Sequence, residues 1–258
     1  MAENPKAKKK STSYLIILIA VLPILLWIGR EIVHHRTIWY FRAADLADLI
    51  ILAPLYLLIL LFLFIYMWRY KAPTSLMITF IVFCFVFMYG HSMHFTANSI
   101  NTFITEVRNY REILPADTYA LVFFLDERLS HLILFAAVVG LIACWFIFDR
   151  MKLAPPVLPG NLPILIILGA AYGIVQAYAL IEARMVYLTI PIFLIIMGLW
   201  IYLWRRSDLA FGKFVVDRPF TTFVTVMLIT SVLAVGIYGL IFNEFPQPSE
   251  FIYNLPPE

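Results

Sequence analysis

The residue types and spacings that could do chemistry lie in two short runs. These are Gly90-His91-Ser92-Met93-His94, with Asn98 four residues beyond, and Asp126-Glu127-Arg128-Leu129-Ser130-His131. On a helix turning ~100° per residue, His91, His94 and Asn98 fall within about 60° of one another. Glu127 and His131 are four apart and share a face, whereas Asp126 is turned about 140° away from His131. Imidazole and carboxylate at one level form a ligand set for zinc or iron, with copper a third fit. His91, His94, Glu127 and His131 are therefore read as metal ligands. Asp126 is read as a further ligand or catalytic general base, and Asp48 and Asn98 as supporting partners. A bound zinc ion would acidify a water and permit hydrolysis at the level of the lipid headgroups, while iron would suit oxidation of a lipid or quinone. A haem between His94 and His131 ranks behind a bare ion; the lack of a C-x-x-C-H run speaks only against covalent attachment.

Membrane helices must position these runs. Of the 258 residues 63% are hydrophobic and 14% charged, with a mean hydropathy of +0.90; average soluble domains have roughly 45–50% apolar and about 25% charged residues. A water-soluble fold of this length could not hide so much apolar surface, so lipid must be the main solvent. About 20 mostly apolar residues cross the hydrocarbon core as a helix. Seven stretches qualify: 13–33, 47–68, 75–97, 119–148, 162–182, 186–204 and 220–242. None alternates as a barrel strand would. The expected fold is an all-α, polytopic seven-transmembrane-helix bundle over residues 13–243, between a basic tail at 1–12 and an acidic tail at 244–258. Lys8-Lys9-Lys10 before an apolar run resembles a secretory signal, but no A-x-A cleavage site precedes Glu31, so the run is read as a retained helix.

Direction follows from Lys and Arg in the short loops. With a cytoplasmic N-terminus, the inner segments carry 12 basic residues and the outer segments 6, Arg128 lying inside a helix. The C-terminus is then outside, in a multi-pass protein of the cell membrane. This direction gathers all five histidines, His34, His35, His91, His94 and His131, into the outer half. Asp45 and Asp48 open the second stretch at the same level. In the outer loop 98–118, Phe103, Ile104, Val107 and Tyr110 recur at helical spacing, which predicts an interfacial helix.

Each feature has a plainer use. Asp45 and Asp48 suit the positive end of a helix dipole, His34 and His35 suit a loop, and Cys84 and Cys144 suit small core positions. Gly169, Gly173 and the alanines around them favour close helix packing, and Trp27, Trp39, Tyr40, Trp68, Tyr70 and Trp204 read as interfacial belts. Two competing functions therefore stand beside a metal-dependent hydrolase or oxidoreductase. One is a non-enzymatic membrane-complex subunit or small-solute carrier; the other is a haem- or quinone-linked electron carrier. The expected partners are the bilayer, an apolar or lipid substrate and membrane-complex subunits, with no nucleic acid. No internal repeat supports the inverted-repeat design of many transporters. The last stretch has no histidine and no lysine. It thus lacks both the H-x-x-x-H pair of the alkaline ceramidase and adiponectin-receptor hydrolases and the lysine of microbial rhodopsins.

Overall fold

The computed structural model describes residues 14–248 apart from 16, 23, 26–27, 30–31, 33–35, 39–40, 108–113, 153–154 and 208. The described residues are helical except for turns and a small antiparallel ribbon. In the ribbon, β1 (Thr37–Ile38) pairs with β2 (Phe41–Arg42), Thr37 opposite Arg42 and Ile38 opposite Phe41. Among the described residues, six helices are long and apolar enough to cross a membrane. They are α1 (Ala43–Arg69), α2 (Thr74–Thr105), α3 (Ala116–Arg150), α4 (Leu162–Glu182), α5 (Val186–Arg205) and, after the short α6 (Phe211–Asp217), α7 (Pro219–Phe242). Only 17–39% of each apolar window is buried inside the protein. Exposed apolar surface on that scale belongs in lipid, so the chain is an integral membrane protein. Residues between 14 and 32 are helical wherever described, but the expected first span, 13–33, lies partly outside the described residues.

Three expected spans prove longer than their apolar cores. α1 starts at Ala43, where the backbone N–H reaches the Arg36 carbonyl at 2.6 Å. α3 starts at Ala116, where the Pro115 carbonyl accepts from Thr118 and Tyr119 at 3.0 and 3.2 Å. α2 runs on to Thr105, through residues assigned from sequence to an outer loop. Phe103 and Ile104 therefore continue α2 and start no separate interfacial helix; Tyr110 lies outside the described residues. The extension can stay helical because its polar side chains find partners. Thr96 and Thr105 hydroxyls donate to the Ser92 and Asn101 carbonyls one turn back, at 2.9 and 2.8 Å. The Asn98 amide donates to Asp45 Oδ1 on α1 at 2.9 Å.

The chain divides into two compact units, Leu22–Cys144 and Met1–Val21 with Trp145–Glu258. In the first, α2 packs against both α1 and a π-helical segment of α3, Phe124–Ser130. In the second, α4 and α7 pack at close range. A Cβ on Gly173 would stand 2.5 Å from the Met227 carbonyl oxygen and 2.7 Å from Thr230 Cβ, and Ser231 Oγ donates to the Gly173 carbonyl at 2.9 Å. The small-residue stretch packs as its composition predicts. Asp149, near the end of α3, accepts the Thr221 N–H at the start of α7 at 2.7 Å and so satisfies one of the donors that a helix start leaves open. Beyond α7, Gln247 accepts from Arg184 at 2.9 Å and donates to the Glu182 carbonyl at 2.6 Å. Lys71, Lys152, Arg184 and Asn243 follow helix ends with φ of 56°, 57°, 53° and 58°. Glycine is the usual residue in that left-handed position; the three cations there lie beside the negative end of the helix dipole.

Candidate functional site

Helix lengths set the level of the polar residues in the Leu22–Cys144 unit. His94 lies 20 residues beyond Thr74, the start of α2, and His131 lies 19 residues before Arg150, the end of α3. At 1.5 Å per residue both distances are about 30 Å, which matches the roughly 30 Å hydrocarbon thickness. Two antiparallel helices thus carry their histidines to one boundary.

Asp126 joins them through a change of helix type. α3 is π-helical over Phe124–Ser130. On regular α spacing Asp126 would face away from His131. In a π-helix, hydrogen bonds close from i to i+5, so residues five apart, as Asp126 and His131 are, stack one turn above the other. Further π segments occupy Asp48–Leu52 in α1 and Phe103–Val107, which begins in the last residues of α2 and runs two residues past it. Such widened turns recur at functional sites.

The result is a compact polar cluster. Asp126 is fully buried, with Oδ1 3.1 Å from His94 Nδ1, an ion-pair contact without the alignment of a good hydrogen bond. Its other oxygen, Oδ2, accepts from Asn101 Nδ2 at 3.3 Å. Ser130 Oγ donates to the Asp126 carbonyl and stands 3.5 Å from His94 Nδ1. His131 Nδ1 is 2.9 Å from the Glu127 carbonyl. The His94 and His131 rings lie 4.6 Å apart between centroids, inclined by 44°. An acceptor oxygen beside each Nδ1 favours a proton there and leaves Nε2 as the lone-pair nitrogen of each neutral ring. Nucleophilic catalysis by Ser130 does not fit. Asp126 and Ser130 both lie on the Nδ1 side of His94, whereas a Ser-His-Asp relay needs them on opposite nitrogens.

Of the residues singled out from sequence, the structure brings together His94, Asp126 and His131. His91 faces elsewhere: its ring lies 5.6 Å from Tyr56 on α1 and 6.3 Å from Phe87. A separation of about 60° on α2 therefore divides the two histidines between the α1 and α3 sides. Glu127 enters through its backbone carbonyl. Asn98 supports Asp45 on α1, the buried partner of the acidic pair, and Asp48 sits in the π segment beyond it. Asn101 and Ser130 were missed. Asn101 follows His94 by seven residues and so shares its helix face, a signal hidden while α2 was expected to stop near 97. Among the described residues, no group of three or more His, Cys, Asp and Glu side chains is arranged to hold a metal ion.

Comparison with known proteins adds no identity. Neither the protein-family models, nor the curated proteins, nor the solved structures give a match. The geometry of this cluster is therefore what a functional reading rests on.

Proposed function

We propose that this membrane protein binds one transition-metal ion through Nε2 of His94 and Nε2 of His131, leaving positions on the ion open to water and substrate. The observation that carries this is the pair of anchored Nδ1 atoms. An imidazole that ligates a metal through one nitrogen ordinarily directs the other at a carboxylate or backbone carbonyl, and here one ring has each kind of partner. Asp126 then orients His94 and does not act as ligand or base. Rings only 4.6 Å apart favour a bare ion over a haem between them. Imidazole nitrogens suit zinc, iron or copper, and the boundary level suits chemistry on a lipid or other apolar substrate in the outer leaflet. The wider topology in this proposal is seven spans in the cell membrane, N-terminus in the cytoplasm and C-terminus outside, a direction that the basic-residue asymmetry supports.

The absence of a three-ligand group among the described residues favours a second reading. In it the His94–Asp126 pair holds a proton, and the protein is a small-solute carrier or a subunit of a membrane complex. Metal analysis of the purified full chain separates the two. The first reading expects about one equivalent of zinc, iron or copper in the native protein and none after His94→Ala with His131→Ala, the fold being intact by circular dichroism. Metal-free native protein after reconstitution with each ion would sink it, as would unchanged metal content in the double variant.

A further inference from the structure

The Trp145–Glu258 part of the chain contains a second polar feature that the histidine cluster does not use. The ends of α3 and α5 and the start of α7 surround a cavity of about 190 Å³ lined by Arg150, Arg206, Ser207, Arg218 and Thr221, among others. At about 30 Å³ per water molecule, it has room for a phosphate group with some of its hydration. Three arginines line it, and among the described residues no acidic side chain does.

Arg218 is the decisive residue. It is more than nine-tenths buried, and its Nη1 has no hydrogen-bond partner among the described residues. Its acidic neighbour Asp149 gives Oδ2 to the Thr221 N–H, and its Oδ1 is buried without a hydrogen bond among the described residues. Asp149 thus compensates the charge of Arg218 without taking the Nη1 donor. Burial pushes the Arg218 guanidinium below its ordinary value, and Asp149 and Asp217 act to raise it; a guanidinium remains protonated throughout. A buried cation with a donor to spare calls for an anion from outside the chain, and the fork of an arginine suits phosphate oxygens. The site sits where spanning helices end, with the exposed apolar side chains Leu199, Tyr202 and Phe211 on α5 and α6 nearby in sequence. Basic pockets among spanning helices at that level take acidic lipid headgroups.

We propose that this pocket binds the phosphodiester headgroup of an acidic phospholipid, with Arg218 and Arg206 as its main contacts. The test uses the full chain, delipidated in neutral detergent, with phosphatidylglycerol, phosphatidylcholine and inorganic phosphate added separately. Bound lipid is counted by native mass spectrometry and stability is followed by thermal unfolding. Phosphatidylglycerol is expected to bind at one molecule per chain and raise the unfolding temperature, and phosphatidylcholine to do neither. Arg206→Gln, at an exposed position where folding is safe, is expected to weaken lipid binding about tenfold, as loss of one charge-assisted contact does. Arg218→Gln is expected to weaken it at least as much, and Lys213→Gln on α6 to leave it unchanged. Equal binding of the two lipids would overturn the proposal. So would a loss in Lys213→Gln as large as in Arg206→Gln, which would mean diffuse surface charge. Stabilisation by inorganic phosphate equal to that by phosphatidylglycerol would overturn the lipid as the source and assign the pocket to a soluble phosphate.

Discussion

With His94 and His131 as the proposed ligands of one metal ion, Asp126→Asn is expected to weaken that binding by 10–100-fold, the usual effect of removing a partner that orients a ligating histidine. The buried carboxylate now faces two donors, His94 on Oδ1 and Asn101 on Oδ2. A carboxamide has one oxygen for those two sites, so one donor must meet an NH2 group. If that donor is His94, its ring proton moves to Nε2 and the metal-binding lone pair is lost, the wrong-tautomer outcome known when an orienting Asp becomes Asn. If it is Asn101, the cost is one unsatisfied buried group, about 1–3 kcal/mol. Competition titration with a chromophoric chelator measures the affinity, and nitrogen-15 chemical shifts of the imidazoles report the tautomer, which a merely structural residue would leave alone. Asp117→Asn, at an exposed position early in α3, is the control and should change neither readout. Native affinity and an unchanged His94 tautomer in Asp126→Asn would remove Asp126 from the site.

The largest effect on stability is expected at Gly173. Gly173→Leu drives a side chain into the Met227 carbonyl, which would lie 2.5 Å from Cβ, and into Thr230 Cβ at 2.7 Å. Backbone cannot move aside as a flexible side chain can. Overpacking of this kind costs about 1–3 kcal/mol, and separating α4 from α7 also breaks the Ser231 hydrogen bond to the Gly173 carbonyl, worth about 1 kcal/mol more. The total of roughly 2–4 kcal/mol falls on an interface that, in lipid, has no hydrophobic force of its own and depends on close contact. Gly198→Leu on α5 is the matched control, since a Cβ there meets nothing within 4 Å. Thermal unfolding in detergent should separate the two variants by many degrees; similar curves would show that α4 and α7 are held together by other means.

Composition and run length made the spanning helices legible. α4, whose residues 162–182 are apolar to both ends, has the bounds expected from sequence. Bounds failed where a helix outlasts its apolar run. Residues 98–105 of α2 mix Thr, Asn and Ser with apolar side chains and read as loop, because the partners that hold them helical, Asp45 and Asp126, come from other helices. The candidate site was legible as residue types and as a level. Its membership was not. A period of 3.6 residues turned Asp126 away from His131, and only the π segment restores it. That same period put His91 beside His94, while packing against two different neighbours separates them. Ser130 was read as one residue of a run, and its hydroxyl bonds back to the Asp126 carbonyl four residues earlier, as serines on helices do.

The widened segment of α3 makes this cluster sensitive to residue number as well as to residue type. A π bulge is an α-helix holding one surplus residue. Deleting Leu129, which contributes no polar contact to the cluster, would let Phe124–Ser130 relax to ordinary α winding, with Asp126 and His131 then four apart and still on one face. Deleting a residue from the regular turns beyond would instead swing everything past it by about 100°. On the proposed metal reading, a chain lacking Leu129 should therefore bind the ion as the native chain does and keep its helicity. One lacking Leu134 should keep the Asp126–His131 alignment but lose stability, because residues 135–150 turn out of register; circular dichroism, thermal unfolding and metal content read both. For α3, the length that its own winding prefers and the length that it carries differ by a single amino acid, and the π turn absorbs that difference so that Asp126 and His131 stay aligned.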